Sequence, residues 1–226
     1  MQENVLTADS SGANSEKITQ MQKLQDSMVA VFADIIESRD NITSGHIERV
    51  IKCLKILTEA LIRRGKYTDE LSKLDLDIFY SAAQLYDIGK IFISDSILNK
   101  SGKLTFDEFE TMKTHAIEGE CVFDQIDKLT KTNFKFLEYA RLFAGYHHER
   151  WDGNGYPRGL DKLNIPIHGR IMAIIDVYVA LVSERPFKKA FTPEDAVKIV
   201  MDSTDEMFDP EIAEIFFEEK EKFKDI

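Results

Sequence analysis

Residues 167–182 read IHGRIMAIIDVYVALV, and Asp176 is the one carboxylate among them. A segment so long and so largely apolar predicts a buried helix. A buried helix must be wrapped by other elements, and the rest of the chain offers more helices. Ile18, Met21, Leu24, Met28, Val31, Phe32 and Ile35 fall at helical spacing, which suits a helix of about 20 residues. That stripe packs either on its own domain or on a second copy of the chain.

A second helix is expected from a cap at Ser44 to about Arg63. A third, capped by Asp69, runs through Leu74, Ile78 and Ala82 to Leu85. The stretch IFISDSILNKSGKLT reads as a short loop with one brief turn. TFDE, from Thr105 to Glu108, has the form of a capping box and opens a helix to Asp127. Helices are also expected at 133–149, near 193–203 and near 210–222. RWDGNGYPRGL is dense in turn formers and reads as a loop. No convincing strand pair and no internal repeat stand out. The expected class is all-α: a disordered arm over 1–15, an N-terminal helix over 16–40, and a globular part over 41–222.

The net charge is −11, and no cluster of lysine and arginine offers the basic face that duplex nucleic acid requires. A small anionic ligand is compatible with that charge if cations, bound metal ions included, gather locally. No apolar run approaches the roughly 20 residues that span a bilayer, so membrane insertion is not expected. The opening MQENVLTADSSGANSEK lacks the basic and apolar regions of a signal peptide, which points to the cytoplasm. Cys53 and Cys121 match no metal or disulfide spacing and read as reduced, packed thiols.

Several polar residues do not suit a plain core. His147 and His148 are adjacent at a helix end, His115 sits mid-helix, and His46 lies in the first turn of the second helix. Asp87 and Asp176 sit among apolar neighbours, where a carboxylate is costly unless paired or bound to metal. Each alone has an ordinary explanation as a cap or a satisfied core residue. Together they are the N and O ligands that a binuclear Mn or Fe site uses.

LYDIGKIFISDSILNKSGKLTFDEFETMKTH, GYHHERWDGNGYPRGL and RIMAIIDVYVALVSERPFKKAF closely resemble the HD-GYP family. That family is a branch of the HD-domain metal phosphohydrolases that hydrolyses cyclic di-GMP in bacteria. The resemblance covers about residues 40 to 215. It implies an HD-domain helical bundle over 41–222 preceded by the N-terminal helix. It also implies two divalent metals, Fe or Mn. One would take Asp87, His115, His147 and His148; the other would take His46, Asp87 and Asp176, with Asp87 bridging. Lys90 would lie near the scissile phosphate. Tyr156, in the Gly155-Tyr156-Pro157 signature, would face the substrate, and Arg185 and Lys188 would hold its phosphate.

Two departures matter. The histidine of the HD pair is Tyr86 here, and Ile42 stands where some members place a glutamate that adds a third metal. A phenol of pKa near 10 is a poor ligand. As phenolate Tyr86 could bind a ferric ion; alternatively its ring swings out and water takes the place. The expectation is a phosphodiesterase that opens cyclic di-GMP to linear pGpG or GMP. The alternative is a catalytically weak or inactive module that binds the dinucleotide or a partner protein. The N-terminal helix would support a homodimer.

Overall fold

The structure is a computed structural model that describes residues 6–40, 45–184, 189–224 and 226, with side chains from residue 16. The described residues form ten α-helices and three short 3-10 helices, with isolated bridges but no strand. The all-α expectation holds. The helix over Ile167–Val182, α8, keeps the bounds read from the sequence. Ile171, Ile174, Ile175 and Val179 are fully buried on it, and it packs against α2 (His46–Arg63), α7 (Lys135–Tyr146) and α9 (Pro193–Asp202). Arg170 is also buried on α8; it donates to the Ile165 carbonyl and pairs with Asp209 and with both oxygens of Glu70. A buried guanidinium with three such partners fixes how α8 meets the turns around it.

Helix α6 (Phe106–Thr130) starts as expected. The Thr105 hydroxyl accepts from the Glu108 amide at 3.3 Å, and the Glu108 carboxylate accepts from the Thr105 amide at 2.7 Å. The expected third helix is instead two: α3 (Thr68–Leu71) and α4 (Leu76–Ala83). Asp75 caps α4 by accepting from the Ile78 amide, so it, not Asp69, is the cap that counts. The loop after Asp87 is a 3-10 helix, Ile88–Phe92, followed by α5 (Asp95–Leu98). Helix α10 (Pro210–Glu218) closes the chain with a last 3-10 turn. The expected cap Ser44 lies outside the described residues; Gly45, at φ 84°, precedes α2.

Helix α1 spans Leu6–Arg39, beginning ahead of the apolar stripe. It meets the domain through Val29, Ala33 and Ile36, which are buried. The stripe itself, Ile18 through Ile35, faces away, with Met21 66% and Val31 55% exposed. Of the two packings the sequence leaves open, its own domain does not cover the stripe. No helix among the described residues is long and apolar enough to cross a membrane. Cys53 is buried, and burial pushes its thiol up to about 12.

Candidate metal centre

Close packing brings the site together. A Cβ on Gly89 would overlap the carbonyl oxygen of His115, so only glycine lets the Ile88–Phe92 turn lie against α6. That contact sets Asp87 beside His115. The end of α7 adds His147 and His148. The oxygen Oδ1 of Asp87 lies 3.5 Å from His115 Nε2 and 3.6 Å from His147 Nε2, and the two nitrogens are 3.3 Å apart. The ligating atoms of His115, His147 and His148 all fall within 4.8 Å of one another.

The outer nitrogens decide what these imidazoles offer. His115 Nδ1 is 2.7 Å from the Met112 carbonyl, and His147 Nδ1 is 2.9 Å and 3.0 Å from the carbonyls of Phe143 and Ala144. Assigned from these bonds, both Nδ1 atoms carry the proton and both Nε2 atoms present lone pairs. Burial holds the His115 pKa down at about 4, against the opposing pull of Asp87. Burial, with the neighbouring His147 and His115, also holds His148 well below the usual value. Asp87 Oδ1 is buried and makes no hydrogen bond. A carboxylate oxygen and two lone pairs thus converge with no proton between them. The residues fit a divalent cation there.

Burial alone would raise the Asp87 carboxyl; the Lys90 ammonium, with His147 and His115, outweighs it and holds the carboxyl well below its usual range. Lys90 Nζ is 2.9 Å from Asp87 Oδ2 and 2.7 Å from Asp40 Oδ2. Burial acts to lower the Lys90 ammonium, but Asp87 and Asp40 overcome it and raise its pKa. Arg39, at the end of α1, donates to the carbonyls of Lys90, Ile91 and Ile93 and pairs with Asp95.

The other side of Asp87 is built differently. Tyr86 is fully buried, its hydroxyl 2.9 Å from Asp176 Oδ1 and 3.1 Å from His46 Nε2. Burial, then Asp176 and Asp87, push the phenol far above its ordinary pKa. The structure therefore brings together His46, Tyr86, Asp87, Lys90, His115, His147, His148 and Asp176. Arg185 and Lys188 lie outside the described residues, as does Ile42.

A cavity of about 320 Å³ opens beside the histidines, lined among others by Phe109, Lys113, His148, Tyr156 and Asp176. Tyr156 stacks over His148 with ring centroids 4.7 Å apart. The loop carrying Tyr156 leaves no room for a side chain at Gly155, where a Cβ would overlap Glu149 and Arg150 backbone. Glu149, 2% exposed, accepts from the amides of Arg158 at 2.7 Å and Leu160 at 2.9 Å, and so ties that loop down. Asp40, Glu149 and Lys113 are the residues the sequence did not single out. Glu149 stands next to His148, so its neighbour was the available signal; Asp40 looked like one more polar residue before a turn.

The family profile described as HD domain matches residues 30–212. The chain belongs to the HD-domain family. Among curated relatives, this HD domain is 39% identical over 207 residues to a probable cyclic di-GMP phosphodiesterase of Vibrio cholerae, covering 92% of this chain and 47% of the relative. It is 37% identical to a cyclic di-GMP phosphodiesterase of Thermotoga maritima, covering 84% of this chain and 48% of that one. It is 32% identical to a 3'3'-cGAMP-specific phosphodiesterase of V. cholerae, covering 94% and 38%. The chain thus spans less than half the length of these relatives. A crystal structure of a cyclic GMP-AMP specific phosphodiesterase of V. cholerae shares the fold, with a TM-score of 0.53 at 17% identity, covering 85% of this chain and 48% of that one.

Proposed function

We infer that this chain is an HD-GYP-type, metal-dependent phosphodiesterase that hydrolyses cyclic di-GMP to linear pGpG or GMP. The observation that carries it is the meeting of Asp87 Oδ1 with two imidazole lone pairs, each fixed from behind by a backbone carbonyl. Relatives named probable cyclic di-GMP phosphodiesterase, at 39% identity, and cyclic di-GMP phosphodiesterase, at 37%, supply the substrate class. The ion is Fe or Mn, which suit mixed imidazole and carboxylate sets. When bound, it polarises a phosphoryl oxygen and acidifies water.

The chain's own groups do the rest. Lys90 holds the charge of Asp87 and gives an ammonium beside the phosphate. Tyr156, stacked on His148 at the cavity wall, packs against a guanine or the ribose. Arg185 and Lys188 grip phosphate oxygens. Residues 41–222 form the catalytic HD-GYP unit, with α1, whose helix already includes residues 6–15 expected as a disordered arm, outside it, and the protein acts in the cytoplasm. Helix α1 pairs two copies through the exposed row Ile18, Met21, Met28, Phe32 and Ile35, whose spacings of three, four and seven suit a two-helix seam.

The test is direct. Full-length protein loaded with Mn²⁺ or Fe²⁺ is incubated with cyclic di-GMP and, separately, with 3'3'-cGAMP, and the products are separated by chromatography. Linear product from cyclic di-GMP is expected. Binding by calorimetry without turnover would give the alternative, a cyclic di-GMP or partner-binding module, which the Tyr86 bonds to His46 and Asp176 favour. For pairing, light scattering should give a dimer for the natural chain and a monomer for Phe32→Glu.

A further inference from the structure

We propose that the centre holds one metal ion per chain, and that Tyr86 permanently takes the place of a second. This rests on the metal-dependent function inferred above and departs from the two-metal site that the family resemblance implies. Two ions would need His46 and Asp176 to be free as ligands and Asp87 to bridge; the first two are bonded to Tyr86, and one Asp87 oxygen is held by Lys90.

Take His46 first. The Tyr86 hydroxyl has one proton. It is 2.9 Å from Asp176 Oδ1, a carboxylate oxygen that can only accept. The phenol keeps that proton and donates it to Asp176, so in the 3.1 Å contact with His46 Nε2 the nitrogen must donate to the phenol oxygen. His46 is then the Nε2–H tautomer, the opposite of His115 and His147. Its lone pair sits on Nδ1, which is buried without a partner among the described residues. Metal-bound imidazoles almost always donate from the nitrogen away from the metal. His115 and His147 have a carbonyl there; His46 has none.

Asp87 tells the same story. Its Oδ2 is occupied by Lys90 at 2.9 Å, and only Oδ1 faces the histidines. The ammonium beside Oδ2 repels a second cation that would use that oxygen. Space agrees. The Tyr86 ring is 1% exposed and lies edge-on to His147 with centroids 5.1 Å apart. For the ring to swing away the core would have to open. With the ring in place, its hydroxyl lies between His46 and Asp176, where an ion held at about 2.0–2.2 Å from each would have to sit.

The experiment counts ions. Full-length protein is loaded anaerobically with Mn²⁺, desalted, and analysed for metal per chain, with electron paramagnetic resonance to tell an isolated ion from a coupled pair. The natural chain should hold one isolated Mn²⁺. Tyr86→His should hold two, coupled, and His46→Ala should still hold one. Two ions in the natural chain would overturn the proposal, as would one ion in Tyr86→His or a lost ion in His46→Ala. Should Tyr86→His fail to fold, the natural chain and His46→Ala still decide. Loading with iron and then oxidising adds a second readout. A visible phenolate-to-iron absorption band, absent in Tyr86→Phe, would also overturn it. A natural chain that binds no ion would instead remove the metal-dependent function itself.

Discussion

Two halves of one site use the same side-chain types and come out as opposites. On one side of Asp87 stand His115, His147 and His148; on the other stand His46 and Asp176, joined by Tyr86. The first half gathers acceptors and gives them no proton. The second gathers an imidazole and a carboxylate and supplies one phenol that satisfies both. What separates a metal site from a hydrogen-bonded cluster is therefore the proton count between the groups, and the residue list alone does not contain it.

The largest effect should come from breaking the first half. His147→Ala is expected to lose the bound ion and with it hydrolysis. Losing an outer partner of a ligand already costs about 10–100-fold, so loss of the ligand should exceed that; metal analysis beside product chromatography checks it. A milder break leaves the ligands and removes the charge. Lys90→Met strips Asp87 Oδ2 and Asp40 of their shared ammonium. A fall of about 100-fold or more in kcat is expected, the size seen when one charge-stabilising donor goes, and steady-state kinetics would show it.

Glu149→Ala touches neither half directly. It leaves two part-buried amides, of Arg158 and Leu160, without their acceptor, at a cost of about 1 kcal/mol. Urea unfolding should show that loss, and KM should rise as Tyr156 loses its support.

Acid sharpens the contrast most gently. The His115 pKa is about 4 in the fold and 6.5 for the free side chain, and that of His168, buried among Phe79, Tyr139 and Phe143, is about 3. Both bind protons more readily unfolded. Their contribution to stability is whole above pH 6.5 and is lost as pH falls from 6.5 toward 4. Urea titrations of the metal-free protein across that range should show the decline. Added Mn²⁺ should resist it, because its ligands must stay unprotonated.

Some of this was legible in the sequence. The capping box at Thr105 and the bounds of α8 could be read because their causes are local: a reciprocal pair of hydrogen bonds, and an apolar segment between breakers. The split between α3 and α4 could not, since Asp69 and Asp75 are equally good caps on paper and only packing chooses. The stripe on α1 is legible in the sequence, but the direction it faces is not. Periodicity defines a face; what covers that face depends on the rest of the fold. The six candidate ligands stand out as polar residues that do not suit a plain core, and the family resemblance assigns them to metals. That Tyr86 reaches both His46 and Asp176 depends on residues 40 and 90 positions away, which no local pattern records.

Arg39 gives α1 a mechanical meaning. The helix is a cantilever: most of its length carries apolar side chains outside the core, and its fixed end is bolted to the carbonyls of Lys90, Ile91 and Ile93. Asp40, the next residue, holds the Lys90 ammonium itself. Two adjacent residues, Arg39 and Asp40, thus fasten the end of α1 to the turn and to the lysine beside Asp87.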